Sequence, residues 1–279
     1  MVQTSVDFAP QVLDGAAMRP REFQASVVAI EPVMGDAVLM SLTAPGPMVE
    51  TVRAGQFLDI LCRTDESFDP LLRRPYSIHR ASPTDGSLTI LVRPFGRGSV
   101  WLVRRRLGET LDVLGPLGNS FAIAPTSRNL VMVAGGVGAA PLVMLAEEAV
   151  ARGLTVTYLM GAADESGLLP PSELPSTVEY VVATDDGSRG HRGFVTDLVP
   201  DFLRWADQVF TCGPEAMFRS LRDVILPLRI GRKPRVQVSM ERSMACGLGA
   251  CLGCVVETKS GMSASCVQGP VYDMDDVIW

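Results

Sequence analysis

The chain has 279 residues, 47% of them hydrophobic and 20% charged, an ordinary globular balance with room for two or three small domains. A formal net charge of −6 argues against nucleic acid as a partner. No apolar run approaches the roughly 18 residues of a membrane span, and the first residues lack a basic-then-apolar secretion pattern, so no membrane and a cytoplasmic location are expected.

Residues 1–21 show no periodicity and read as an N-terminal extension. From 22 to 125 the pattern is of short strands: Phe23–Ile30, Ala37–Leu42, Gln56–Leu61, Pro75–Ile78 and Leu88–Val92. Turn residues at Pro32, Gly35, Pro45, Gly55, Pro83 and Gly86 separate them. Evenly spaced short strands predict a small antiparallel β-barrel or sandwich. One helix is expected at about Ser99–Arg106, with Gly98-Ser99 at its start.

From 126 to 235 strands alternate with helices. Strands are expected at Leu130–Ala134, Leu154–Met160, Val178–Ala183 and Gln208–Thr211. Helices are expected at Ala140–Arg152 and over about 194–204 and 214–226. That alternation predicts an α/β domain with a parallel sheet. A third block, 236–279, holds most of the cysteines between short strands.

Four of the six cysteines form the pattern C-x4-C-x2-C-x11-C: Cys246, Cys251, Cys254 and Cys266. Gly247, Gly249 and Gly253 lie between them. Three thiolates on a tight loop and a fourth brought back by a hairpin suit a [2Fe–2S] cluster. Glycines let the loop wrap an inorganic core and bare N–H groups toward its sulfurs. Zinc is the competing ligand, though structural zinc sites usually present two separated Cys/His pairs. Four buried thiols are the plain structural alternative, and they leave the glycines unexplained. Cys62 and Cys212 sit in apolar strands, so a disulfide framework is not expected.

Four further motifs carry chemistry. In Arg73-Arg74-Pro75-Tyr76-Ser77 an arginine can grip a phosphate, a proline stiffens the strand, a tyrosine can stack on a flat ring and a serine can hydrogen-bond a ring nitrogen. Leu91-Val92-Arg93 with Gly98-Ser99 adds a cation and a helix start suited to a pyrophosphate. Together they suit a flavin dinucleotide along the barrel, with a plain edge strand as the alternative. Gly135-Gly136-Val137-Gly138 lies between strand and helix, where glycines permit a dinucleotide's approach. A purely structural turn reads as well there, because Pro141 stands where the full fingerprint has its last glycine. Cys212-Gly213-Pro214 and the loop holding Asp185 fall at the carboxyl edge of the same sheet, where open α/β folds bind ligands. With only His79 and His191 as histidines, acid–base machinery is sparse and cofactors are expected to carry the chemistry.

Arg74-Pro-Tyr-Ser77, Gly135-Gly-Val-Gly138, Cys212-Gly-Pro214 and the barrel-then-sheet order resemble the ferredoxin–NADP⁺ reductase superfamily. Leu114-Gly-Pro-Leu-Gly-Asn119, Ala183-Thr-Asp-Asp-Gly-Ser188, Gly193-Phe-Val-Thr-Asp197, Met244-Ala-Cys-Gly-Leu-Gly-Ala-Cys251 and Gly269-Pro-Val-Tyr-Asp273 narrow the resemblance to the electron-transfer subunits of NAD-dependent, type B dihydroorotate dehydrogenase. The resemblance implies FAD held by Arg74, Pro75, Tyr76, Ser77, Leu91, Val92, Arg93, Gly98 and Ser99. It implies a [2Fe–2S] cluster on the four cysteines and NAD on the second domain. Motif position there points to Gly135, Gly136, Val137, Gly138, Asp185, Cys212, Gly213 and Pro214 as the NAD contacts. It also implies a partner, an FMN-containing catalytic subunit, in a heterotetramer with two of each chain. Electrons from dihydroorotate would then pass through the cluster and FAD to NAD⁺, in pyrimidine biosynthesis. Asp164, and the lack of a basic cluster after the second strand of the sheet, favour NAD⁺ over NADP⁺. Two alternatives stay open: a reductase subunit of a hydrogenase, sulfide dehydrogenase or NADH–ferredoxin transhydrogenase, and a zinc-stapled binding module without a redox role.

Overall fold

The computed structural model describes residues 20–64, 66–228 and 234–279. Nearly all of the expected N-terminal extension lies outside the described residues. The first unit is a closed antiparallel barrel. Its strands are β1 (Arg21–Met34), β2 (Ala37–Thr43), β3 (Phe57–Ile60), β4 (Arg74–Ser82), β5 (Ser87–Val92) and β6 (Thr110–Leu117), in the order β1-β2-β5-β4-β3-β6. A short helix α1 (Gly46–Thr51) lies between β2 and β3, and α2 (Arg97–Val103) lies between β5 and β6. Alternate residues point inward, so Val27, Met40, Leu42, Leu58, Ile60, Ile78, Ile90 and Val113 fill the barrel.

Two elements were not legible beforehand. The strand β6 closes the barrel against both β1 and β3, although Gly115-Pro116 lies within it. The helix α1 begins with Gly-Pro, which reads as a turn; Pro at the first helical turn costs no hydrogen bond. The helix expected at 99–106 starts and ends earlier, because Ser99 bonds back to the backbone before it rather than starting the helix itself.

The second unit is a seven-stranded sheet. In chain order it contributes β7 (Asn129–Gly135), α3 (Ala140–Ala151), β8 (Thr155–Ala162), β9 (Glu179–Thr184), β10 (His191–Arg192), α4 (Val199–Leu203), β11 (Gln208–Cys212), α5 (Glu215–Ile225) and β12 (Arg235–Ser239). The helix expected at 194–204 divides into a 3-10 turn, Val195–Asp197, and α4. Strand order is β10-β9-β8-β7-β11-β12-β15, where the last is the C-terminal strand described below. All pairings up to β12 are parallel, and both faces are covered, which explains the unbroken apolar run of β7. Leu130, Met132 and Ala134 face α3, while Val131 and Val133 face the side of α4 and α5. α5 turns Phe218, Leu221 and Ile225 onto the sheet, one apolar stripe at helical spacing.

The remaining elements are β13 (Val255–Thr258), β14 (Gly261–Ala264), α6 (Ser265–Gln268) and β15 (Val271–Asp273). β13 and β14 form a hairpin, and β15 runs antiparallel to β12 on the edge of the large sheet. A small separate core joins Met244, Cys254, Ala264 and Cys266 to Phe57 and Leu117 of the barrel. Asn119 stitches this junction: its side chain donates to Val271 O at 2.8 Å and accepts from Val271 N at 2.9 Å.

Candidate redox sites

The β13–β14 hairpin sets Val255 opposite Ala264, which brings Cys254 beside Cys266 across its open end. The Cys266 N–H donates to Cys254 Sγ at 3.4 Å. Upstream, the loop from Met240 to Gly253 has no regular structure and turns at Gly247 (φ +66°) and Gly249 (φ +75°). These turns aim main-chain donors at sulfur. Leu248 N donates to Cys246 Sγ at 3.4 Å, Gly249 N to Cys266 Sγ at 3.2 Å and Gly253 N to Cys251 Sγ at 3.5 Å. Each of the four thiols thus accepts at least one backbone N–H, the pattern that stabilises thiolates around a charged cluster. Among the described residues no three ligating side chains converge on one ion position. Cys251 hydrogen-bonds Cys246, and Cys254 hydrogen-bonds Cys266, so the four thiols meet as two neighbouring pairs. Burial works to raise the Cys246 thiol, but the loop's N–H groups and Cys251 overcome it and bring the thiol down to about 6. Cys254 and Cys266 are buried while Cys251 is exposed, so the site reaches from the barrel junction to the surface.

The flavin motif lies on β4, paired with β3 so that Arg74 meets Ile60 and Ser77 meets Phe57. Its two arginines have different work. Arg73 is committed to the fold through Glu22 and, at 2.7 Å, Asp112. Arg74 donates through one nitrogen to the Leu72 and Arg73 carbonyls at 2.9 and 3.0 Å, leaving the rest of its fork for a phosphate. A Cβ at Gly98 would stand 3.0 Å from Arg74 Cγ and 3.3 Å from Cys62 Cβ, so the start of α2 lies directly on Arg74. The structure therefore brings the two barrel motifs together. Ser99 spends its hydroxyl on its own loop, accepting from Phe95 N at 2.8 Å and Gly96 N at 3.0 Å. What the helix start offers is main chain, because its first N–H groups have no partner within α2. Tyr76 is half-buried with its hydroxyl 3.9 Å from Cys62 Sγ, and burial pushes the Cys62 thiol up to about 11. Leu91 and Val92 bury their side chains, so only their main chain can face a cofactor. Arg93 is exposed and paired with Asp36 at 3.2 Å.

On the sheet, β7 and β11 pair with Ala134 opposite Cys212, which places the turns that follow them side by side. A Cβ on Gly138 would lie 2.3 Å from Cys212 O, and one on Gly213 would lie 3.1 Å from Gly135 Cα. These glycines let two turns of the same chain touch. Gly136 differs: it has φ +54° and nothing within 4 Å of an added Cβ, so it faces open space, and Val137 follows it half-buried. Pro214 packs on Gly135. Burial raises the Cys212 thiol well above its ordinary value, and the carboxylate of Glu241 adds to this. Asp185 is exposed at the same edge, its N–H bonded to Ala162 O at 3.1 Å.

Two residues went unnoticed in the sequence. Asp59 on β3 is 0% exposed and neither carboxyl oxygen has a hydrogen-bond partner among the described residues. Burial raises its pKa to about 7 against the pull of Arg73 and Arg74. A Cβ on Gly247 would come 3.4 Å from its Oδ2, so it lies between the flavin strand and the cluster loop. Glu241 follows β12 beside Cys212, with its carboxyl raised by desolvation. Nothing in a strand reading FLDI or a loop reading SMER marks either one.

A barrel strand that presents an arginine beside a helix start, an α/β sheet with paired glycine turns and a three-thiol loop with a fourth thiol beside it define a flavin- and nicotinamide-linked reductase with a C-terminal iron–sulfur segment. The comparisons agree. Residues 241–278 match the family described as the iron-sulfur cluster binding domain of dihydroorotate dehydrogenase B. The dihydroorotate dehydrogenase B (NAD(+)) electron transfer subunit of Desulforamulus reducens is 34% identical over 264 residues, covering 92% of this chain and 98% of that protein. That of Bacillus caldolyticus is 37% identical over 243 residues, covering 85% and 91%. A solved NADH-dependent reduced ferredoxin–NADP oxidoreductase, described for flavin-based electron bifurcation, superposes with TM-score 0.79 at 26% identity over 96% of this chain and 92% of that one. A ferredoxin reductase of carbazole 1,9a-dioxygenase shares the fold, with TM-score 0.66 at 23% identity, covering 77% and 68% of the two chains. The chain belongs to the family of dihydroorotate dehydrogenase B electron transfer subunits, and its cofactors are FAD, a [2Fe–2S] cluster and NAD. Among the described residues no helix is long and apolar enough to cross a membrane.

Proposed function

We propose that this chain passes electrons from dihydroorotate, oxidised on an FMN-containing catalytic partner, to NAD⁺ in pyrimidine synthesis. The observation that carries the reading is the shared core in which the two buried thiols, Cys254 and Cys266, pack against Phe57 and Leu117 of the barrel. The cluster supplies single-electron transfer, the flavin accepts one electron or two, and nicotinamide takes a hydride. The chain's own part is to hold these close and dry. Arg74 and the main chain of Leu91, Val92, Arg93, Gly98 and Ser99 hold the flavin's phosphates; Pro75 stiffens the strand, Tyr76 packs by the ring and Ser77 offers a hydroxyl. Gly135, Gly136, Val137, Gly138, Gly213 and Pro214 receive the nicotinamide nucleotide, with Cys212 as a small neutral thiol and Asp185 toward the ribose. Cys246, Cys251, Cys254 and Cys266 ligate the cluster. The assembly is a cytoplasmic heterotetramer with two of each chain.

The test is co-purification with the FMN-containing subunit under anaerobic conditions, then dihydroorotate-driven reduction of NAD⁺. A complex of equal subunit content that makes NADH supports the reading. A coloured chain that neither binds that subunit nor lets dihydroorotate reduce NAD⁺ refutes it.

A further inference from the structure

Strand β4 begins with the flavin motif and, three residues beyond Ser77, carries Arg80. This guanidinium leaves the barrel and crosses to the sheet unit. Its Nε donates to Glu147 Oε1 of α3 at 2.7 Å. Its other nitrogens donate to Glu173 Oε2 at 3.2 Å and to the Glu173 carbonyl at 3.0 Å. Beside it His79, wholly buried, sets Nε2 3.6 Å from Glu173 Oε2. α3 starts where the Gly135–Gly138 turn ends. One strand, one guanidinium and one helix therefore join the flavin motif to the nicotinamide turn without an intervening loop.

We propose that Arg80 is a positioning residue for hydride transfer, locking the flavin strand against the helix that carries the nicotinamide turn. The inference rests on the functional reading above. The step it serves breaks an N–H bond of the reduced flavin and forms a C–H bond of NADH, passing a hydride, two electrons and one proton, to NAD⁺. The flavin is oxidised and the nicotinamide reduced, and NADH with oxidised flavin runs the same step in reverse. Such a step is steep in geometry, and a misplacement of about 1 Å costs roughly a hundredfold in rate. A planar guanidinium bonded on three sides resists sliding and twisting in a way a lysine's single ammonium does not. Both acidic partners are half-buried, so the network is less screened than a surface pair.

The experiment is anaerobic rapid mixing of the full-length chain, loaded with FAD and cluster, with NADH. It reads flavin bleaching and the long-wavelength charge-transfer band. Arg80→Gln and Glu147→Gln are each expected to slow the limiting rate about tenfold and weaken the band. FAD content should hold, and the NADH dissociation constant should move less than about twofold. The double variant should be no slower than Arg80→Gln alone, and Arg80→Lys should recover only part of the loss. Bleaching within about twofold of wild type in the variants, even with a lowered melting temperature, overturns the latch and marks Arg80 as a stability residue only. If Arg80→Gln fails to fold, Glu147→Gln decides by the same limits. A wild-type chain that NADH cannot bleach overturns the functional reading and the latch with it.

Discussion

At the flavin mouth side-chain hydrogen bonds hold the strand and the start of α2 in place, whereas at the cluster loop the sulfurs are met by main chain. Arg74 bonds back to the Leu72 and Arg73 carbonyls, Arg73 ties β4 to β1 and β6, and Ser99 closes its own loop. At the cluster the four sulfurs accept from the backbone of Leu248, Gly249, Gly253 and Cys266. A side-chain site fails by degrees as one contact is lost. A main-chain site fails when the path of the loop changes, whichever side chain caused the change.

Three substitutions probe that difference. Cys251→Ser should act most strongly, removing the cluster's visible bands and its iron while the flavin spectrum stays. Loss of both spectra together would show that the sites are not separable. Arg74→Ala comes next. A charge-assisted bond to phosphate contributes about 2 kcal/mol, so FAD should bind about thirtyfold more weakly, measured by recovery of flavin fluorescence, with iron content unchanged. Gly247→Ala should be milder but specific to the cluster. Its φ of +66° costs a side chain about 1 kcal/mol, and the added Cβ would sit 2.8 Å from Leu117 Cδ1. Iron per chain should drop while FAD affinity holds; full iron occupancy would mean the loop bends freely.

The smallest effect concerns pH. The His79 contact first, and then Arg80, holds the Glu173 carboxyl below its ordinary range against burial. A lowered acid stabilises the fold above its unfolded value of 4.5 and loses that contribution as pH falls through the folded value. His79 and Arg80 face it from β4, and Glu147 lies on the other side of Arg80. Wild type should therefore be more stable than Glu173→Gln near neutrality, and the gap in melting temperature should shrink by about 2 °C as pH falls below about 4. A gap that is constant with pH would show that the carboxylate's charge is not what holds this junction.

Local patterns carried most of the architecture. Cysteine spacing, the Arg-Pro-Tyr-Ser strand and the switch from strand runs to strand–helix alternation were all visible, because each depends on neighbours in sequence. β6 escaped because its Gly-Pro reads as a turn, yet pairing on both sides supplies the order its composition lacks. β15 is only three residues long and gains its place from β12, more than thirty residues earlier in the chain. Arg80 and its partners lie 67 and 93 positions apart, so no window could join them. Ser99 shows the opposite case: the residue was noticed, but its hydroxyl serves the loop and only its main chain is left for a ligand.

The chain's last strand is an edge of the nicotinamide sheet, and Asn119 fastens it to the exit of the barrel. The iron-binding segment is thus no detachable cassette. Grafting residues 241–266 alone onto another reductase would leave the hairpin without its anchor. A working transplant has to bring β12, β15 and an asparagine on the recipient's side, so the smallest unit that evolution or an engineer can exchange is larger than the motif that binds iron.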